Sequence, residues 1–240
     1  VMKISFSTLA CPDFSWTDIY SMAKDLSFDG IEIRGLGDDI DAVRAKPFTA
    51  GQLDKTIAKL SSLKIEIPCL SSGCCLKFKD NYESNKTEIT RYIELAAKLS
   101  TPYVRILADL EPAPSGEIDD DYIKDVLKEL SVIAADKNVI LLVETNGLYA
   151  DTKRLRKLLD AVGSENVAAL WDIHHTYRYF NESAADTVSN LGPYIRYIHV
   201  KDSIMANGKP EYRMMGEGDM PLEDIFSELI KSGYDGYISL

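Results

Sequence analysis

Three consecutive apolar runs in this chain each end in a residue that can ligate a metal, and they do so at nearly equal intervals. Val139-Ile140-Leu141-Leu142-Val143 runs into Glu144, Val167 to Trp171 into Asp172, and Ile195 to Ile198 into His199. The intervals, 28 and then 27 residues, match one strand, one crossover helix and two short loops. That period selects parallel pairing, because an antiparallel neighbour returns through a hairpin whereas a parallel one needs a crossover of about a dozen residues or more. Equivalent C-terminal ends of parallel strands lie side by side, so Glu144, Asp172 and His199 are expected to converge at one rim. Two carboxylates and an imidazole gathered there form a cup for a divalent metal. Buried strands exclude such groups unless they are paired or ligated, so the regular spacing argues against three unrelated loop starts.

The same alternation runs through the whole chain. Strand patterns lie near Lys3 to Ser7, Gly30 to Arg34, Glu66 to Ser71, Tyr103 to Leu107, Val139 to Val143, Val167 to Trp171, Ile195 to Ile198 and Tyr237 to Leu240. Helical patterns lie at Trp16 to Leu26, Ala50 to Leu63, Tyr82 to Leu99, Asp121 to Ala135, Thr152 to Val162 and Pro221 to Lys231. Ser15 followed by Asp18 suits a helix start, Pro221 suits a first turn, and Gly163 and Gly233 suit helix ends. Eight strands with crossovers predict an α/β (β/α)8 TIM barrel whose last helix is missing from this chain; a doubly wound sheet shares the alternation. Phe28-Asp29-Gly30-Ile31 and Tyr234-Asp235-Gly236-Tyr237 repeat one helix-to-strand turn. No linker or composition shift divides residues 1–240, which read as one barrel domain of a size such barrels reach.

Composition narrows the partners. A net charge of −11 and a pI near 4.8 oppose a nucleic-acid partner, which usually needs a basic patch. No apolar stretch approaches the roughly 18 residues of a membrane span, and no basic, apolar leader opens the chain, so a cytoplasmic protein is expected. Cys11, Cys69, Cys74 and Cys75 follow neither a metal-site spacing nor a disulfide framework and read as free thiols.

Val143-Glu144-Thr145-Asn146, Trp171-Asp172-Ile173-His174-His175 and Ile198-His199-Val200-Lys201-Asp202, followed by Gly216-Glu217-Gly218-Asp219, resemble the xylose-isomerase-like TIM barrels, the superfamily of sugar phosphate isomerases and epimerases. The resemblance extends from Asp29-Gly30-Ile31-Glu32 to Gly236-Tyr237-Ile238. It implies an isomerase that moves protons through an enediolate on a small-molecule sugar or sugar phosphate, with Glu144, Asp172 and His199 holding one divalent ion, Mn, Mg, Co or Zn. Glu144 is then ligand and acid/base at once, and a homo-oligomer is common in the group. The group's fourth ligand is a Glu at the end of the eighth strand. Here Leu240 stands just short of the matching position, so the chain is read as cut short before that residue.

By the same resemblance His175 hydrogen-bonds substrate oxygen. His174 points the other way if the segment is still extended and is expected to be structural. Lys201 and Arg213 are the nearest cations in sequence, available for a hydroxyl, carboxylate or phosphate. Glu32 and Arg105 also sit in strands, where an inward polar group can be paired in the core. Trp16 is assigned to helix packing. Endonuclease IV belongs to the same superfamily, but its three-metal site needs further histidines where this chain has Gly35, Ser72 and Ala108, and the chain has three histidines in all. A polyol dehydratase using the same cup, or a non-catalytic sugar-binding barrel, remain the alternative readings.

Overall fold

The computed structural model describes residues 1–240. Eight parallel strands, β1 (Lys3–Ser7), β2 (Gly30–Glu32), β3 (Cys69–Cys75), β4 (Tyr103–Leu107), β5 (Ile140–Glu144), β6 (Val167–Asp172), β7 (Ile195–His199) and β10 (Tyr237–Ser239), form one sheet. Its order is β2-β1-β10-β7-β6-β5-β4-β3. Bridges Gly30–Glu66 and Ile33–Leu70 bring β2 back beside β3. The ring is a nearly closed (β/α)8 TIM barrel.

Helices α1 (Trp16–Asp25), α2 (Leu53–Leu63), α3 (Tyr82–Leu99), α4 (Asp120–Asp136) and α5 (Thr152–Val162) are the crossovers from β1 to β6. Two short helices, α6 (Ile173–Phe180) and α7 (Ala184–Leu191), join β6 to β7. A hairpin of β8 (Asp202–Ala206) and β9 (Lys209–Arg213) precedes α8 (Leu222–Lys231) and β10. The local signals act as the residue types require. Ser15 caps α1 reciprocally with Asp18, and Gly163 ends α5 in the left-handed region with φ 62°. No helix is long and apolar enough to cross a membrane. All four cysteines are buried free thiols.

Strand pleating divides the interior into layers. Cys69, Leu142, Ala168, Leu170, Tyr197 and Tyr237 pack together inside the barrel, while outward residues such as Ile31, Val104, Leu141 and Trp171 join the core beneath the helices. Above the apolar plug the inward positions turn polar at Glu32, Ser71, Arg105, Glu144, Asp172, His199 and Ser239. Polar groups are thereby concentrated at the C-terminal rim, where barrel loops meet.

The hairpin and the pair α6–α7 depart from the sequence expectation. Asn207-Gly208 was the available hairpin signal: both residues have positive φ, 51° and 76°, and they connect the Ala206–Lys209 pair as a two-residue primed turn. The reading of Asp172 to His175 as extended also gives way, because Asp172 turns the chain directly from β6 into α6.

Candidate metal centre

Glu144 and Asp172 are the last residues of β5 and β6, and His199 is the last of β7. Register pairs Asp172 with His199 directly and Glu144 with Leu170. One donor atom from each of Glu144, Asp172 and His199 lies within 4.8 Å of the other two. His199 Nδ1 is 3.6 Å from Glu144 Oε1 and 3.9 Å from Asp172 Oδ2. These are approach distances between ligand atoms sharing a centre, too long for hydrogen bonds.

Each donor is aimed by a second contact. The Asp172 carboxylate uses Oδ1 to cap α6, accepting from the N–H groups of His174 at 3.0 Å and His175 at 3.3 Å, which leaves Oδ2 for the cup. His199 Nε2 donates to Glu32 at 2.9 Å. Glu32 is itself buried and accepts from Ser71 at 2.6 Å and Ser239 at 2.8 Å. A carboxylate only accepts, so Nε2 carries the proton and Nδ1 is the nitrogen offered to the cup. Glu32 is the functional residue that reading the sequence missed. It is paired in the core as expected, but its partner is a proposed ligand, and nothing local in Gly30-Ile31-Glu32 announces a partner 167 residues away.

The third aim is incomplete, and this tests whether a metal fits. Arg105 Nε stands 2.8 Å from Glu144 Oε2, yet both atoms are buried and neither makes a hydrogen bond, so the pair is a charge contact with poor alignment. A buried carboxylate oxygen without a donor is costly. The other Glu144 oxygen, Oε1, faces His199 Nδ1 among donor atoms that lie within 4.8 Å of one another, a set that a divalent ion would bridge, so the residues fit the group.

Charge in the cup is strongly coupled. Burial opposes ionisation of Glu144, but Arg105 and His199 outweigh it and hold the carboxyl well below its usual range. Burial likewise opposes Glu32, and the His199 charge with its hydrogen bonds brings it down to about 2. His199 is disfavoured as a cation by burial, yet the negative charge and hydrogen bond of Glu32, with the charge of Glu144, raise it to about 10. Asp172 falls below its usual value, against burial, through His175 and Lys201. A metal entering the cup therefore takes the place of a proton shared among anions.

His175 and Lys201 approach Asp172 of the cup, His174 lies behind them on α6, and Arg213 turns elsewhere. His175 Nδ1 donates to the Thr145 carbonyl at 2.9 Å, so its free nitrogen is Nε2, 3.6 Å from Asp172 Oδ2. Lys201 Nζ donates to Asp172 Oδ2 at 2.5 Å and its side chain remains 36% exposed. His174 is fully buried on α6, with Nε2 3.0 Å from Ser203 Oγ, and burial first lowers it to about 4. Helical geometry rather than strand alternation sets its direction; its Nδ1 is buried without a hydrogen-bond partner, and one of its donor atoms lies within 4.8 Å of donors of Asp172 and His175. Arg213, expected near the substrate, pairs with Glu211 at 2.8 Å on exposed β9. The hairpin returns the chain so that Arg213 stands opposite Asp202, next to Lys201, but its guanidinium turns to Glu211 and the Tyr212 carbonyl.

Fold and site together define a class, a parallel barrel with acidic and imidazole donors gathered at its C-terminal rim. The model of the family "xylose isomerase-like TIM barrel" matches residues 21–240, and the chain belongs to that family. Similar solved structures include the probable 3-DHS dehydratase AsbF of Bacillus anthracis, involved in petrobactin synthesis. It is 21% identical, with TM-score 0.81, over 100% of this chain and 92% of that one. The IolI protein with a bound zinc atom is 20% identical, with TM-score 0.81, over 99% and 88%. D-psicose 3-epimerase, solved with D-fructose, is 18% identical, with TM-score 0.79, over 99% and 84%. At these identities the likeness shows the fold. No curated protein matches the sequence.

Glu32 gives the first prediction. Glu32→Gln keeps the packing but removes the charge that holds His199, and outer-sphere partners of metal-bound histidines typically contribute about 10–100-fold in metal affinity. Calorimetry should show a loss in that range with the fold retained. An unchanged affinity would remove Glu32 from the site.

Proposed function

We propose that residues 1–240 act as one domain, a divalent-metal-dependent isomerase or epimerase of a sugar-type hydroxy-carbonyl substrate. The observation that carries this reading is the donor set itself: donor atoms of Glu144, Asp172 and His199 within 4.8 Å of one another at three strand ends, with Glu144 Oε1 facing His199 Nδ1. Glu144, Asp172 and His199 would hold the ion. A divalent ion there polarises a carbonyl and acidifies the neighbouring C–H.

The protein's own groups supply the rest. Glu144, kept ionised by Arg105 and His199, is the base placed to take a proton from carbon. His175 Nε2, fixed as the unprotonated nitrogen by the Thr145 carbonyl, accepts from a substrate hydroxyl. Lys201 donates to a substrate oxygen from the outer side of Asp172. Binding of a neutral or anionic small molecule suits a rim where three cationic side chains, Arg105, Lys201 and Arg34, lie around the cup.

One observation favours a second reading on the same metal. The Lys201 ammonium beside the cup can protonate a departing hydroxyl, as a dehydratase requires, and a probable dehydratase is among the similar structures. One experiment addresses both. The protein is assayed for bound metal by mass spectrometry, then incubated with ketoses, aldoses and polyol ketones in D2O under NMR. About one divalent ion per chain with deuterium entering a carbon next to a carbonyl is the expected result. Loss of water with new alkene signals transfers the assignment to the dehydratase. Metal bound without either change leaves a binding barrel, and no metal uptake overturns the reading.

A further inference from the structure

Arg34 is the exception among the chain's nine arginines. The other eight each hold a hydrogen bond or ion pair, whereas the half-buried Arg34 side chain has neither. Its position follows from the end of β2: Glu32 points into the barrel, Ile33 is buried outward, and the chain then bends at Arg34, whose N–H donates to Thr8 Oγ1 and whose guanidinium reaches Gly73 at the rim. A guanidinium presents five N–H donors in a fixed fork, so leaving all of them without protein partners in a partly desolvated place marks a surface made to meet something else.

The surroundings are built to the same end. The β3–β4 register breaks between Ser71 and Cys75, placing Gly73 at the irregularity. A methyl group on Gly73 would stand 3.7 Å from Arg34 Nη2 and 3.8 Å from Glu88 Oε1, so the glycine leaves an open place beside the guanidinium. Glu88, on the far side of Gly73, makes no ion pair with Arg34 and accepts instead from the Gly73 N–H at 3.3 Å. Arg105 approaches from β4, anchored through Nη1 to the Ser72 carbonyl at 2.9 Å. Its Nε makes only the misaligned contact with Glu144, and its Nη2 makes no hydrogen bond. The two guanidiniums meet the same stretch of β3, Arg105 at the Ser72 carbonyl and Arg34 beside Gly73, and burial, then Arg105, pulls Arg34 below its usual value. Like charges brought together in a half-buried rim call for an anion between them.

We infer that Arg34 and Arg105 form an anion subsite for a carboxylate on the substrate, making that substrate a polyhydroxy acid. The inference rests on the metal-cup reading for where the reacting carbons lie. Arg105 touches Glu144, so the subsite is one side chain from the cup and suits a carboxylate close to the reacting carbons. A terminal phosphate on a six-carbon sugar would sit farther away. The planar fork also matches a planar carboxylate in two parallel N–H···O bonds.

The test uses the intact protein, metal-free and loaded with Mg or Zn, titrated with D-gluconate, D-glucitol and D-glucose 6-phosphate. Arginine Nε–H resonances are followed by NMR, and metal content is measured in the same samples. Gluconate is expected to bind roughly tenfold or more tighter than glucitol, shifting the Arg34 resonance. Arg34→Ala should erase that preference and leave metal content unchanged, while Arg34→Lys keeps the charge and recovers part of it. Equal binding of gluconate and glucitol, or a preference that survives Arg34→Ala, overturns the subsite. Tighter glucose 6-phosphate binding that Arg34→Ala abolishes overturns the carboxylate in favour of phosphate. Absence of metal refutes the cup reading separately, because the metal-free titration still reports on Arg34.

Discussion

Asp172→Asn will lower affinity for a divalent ion by more than the roughly 100-fold upper range seen for outer-sphere partners, and the barrel will remain folded. The reason is the division of labour within one carboxylate. Oδ1 caps α6 by accepting from His174 and His175, and an asparagine Oδ1 accepts equally well. Oδ2 faces His175, His199 and Lys201, and there an amide nitrogen replaces an anionic donor with a positively polarised NH2. Lys201 loses its partner but is exposed enough to turn its ammonium to water. Asp172→Ala removes the cap as well and costs about 1 kcal/mol more in stability. Titration calorimetry with Zn or Mn, alongside thermal melts of both variants, separates ligand from cap. An asparagine variant that binds metal like the parent would remove Asp172 from the ligand set.

How much of this was legible in the sequence depends on the range of the interaction. Strands such as Lys3–Ser7 and Tyr103–Leu107 were readable residue for residue, because a buried parallel strand declares itself as a short apolar run between helical patterns. The cup was readable too, since one period places one donor per strand end. Glu32 was not, because its meaning lies in the closure of β2 against β1 and, through β10, β7. No window of local pattern contains that closure. Arg213 is a different case: the Asn207-Gly208 turn returns the chain beside Asp202, but the guanidinium is held by Glu211 and the Tyr212 carbonyl, and the way a side chain turns on an exposed strand is not written in the local pattern. Arg34 lay at the edge of a strand already recognised, but only the absence of partners distinguishes it, and absence is a property of the folded surroundings.

Asp202→Ala will be among the most destabilising single changes at this end of the barrel, although Asp202 belongs to no part of the cup. Its buried carboxylate accepts from four backbone N–H groups, those of Ser203 at 2.8 Å, Gly216 at 2.8 Å, Gly218 at 2.9 Å and Met220 at 3.3 Å. The loop that closes β9 back to α8 is thus folded around one side chain, and Arg178 ties it further through Ser203 and Asp219. Hydrogen bonds to a charged group contribute about 1.5–3 kcal/mol each when buried. Local rewetting of the freed loop limits the total, and a loss of about 2–4 kcal/mol is expected from denaturant melts. Asp202→Asn should do almost as badly, because its NH2 would face the Gly216 and Gly218 donors. Gly218→Ala should imitate both, since its methyl would stand 2.0 Å from Asp202 Oδ1. Acid supplies the sign. Burial raises the Asp202 carboxyl but the four donors outweigh it, leaving the folded value below its usual one. The contribution is therefore complete above the unfolded value of roughly 3.9 and is lost as pH falls through the lower folded value. The stability gap between parent and Asp202→Ala should accordingly be constant from neutral pH to about 5 and shrink below about 4. In the variant, the amides of Gly216, Gly218 and Met220 should also exchange faster with solvent. A gap that stays the same into acid, with those amides still protected, would mean that the loop is held by its other contacts and not by this carboxylate.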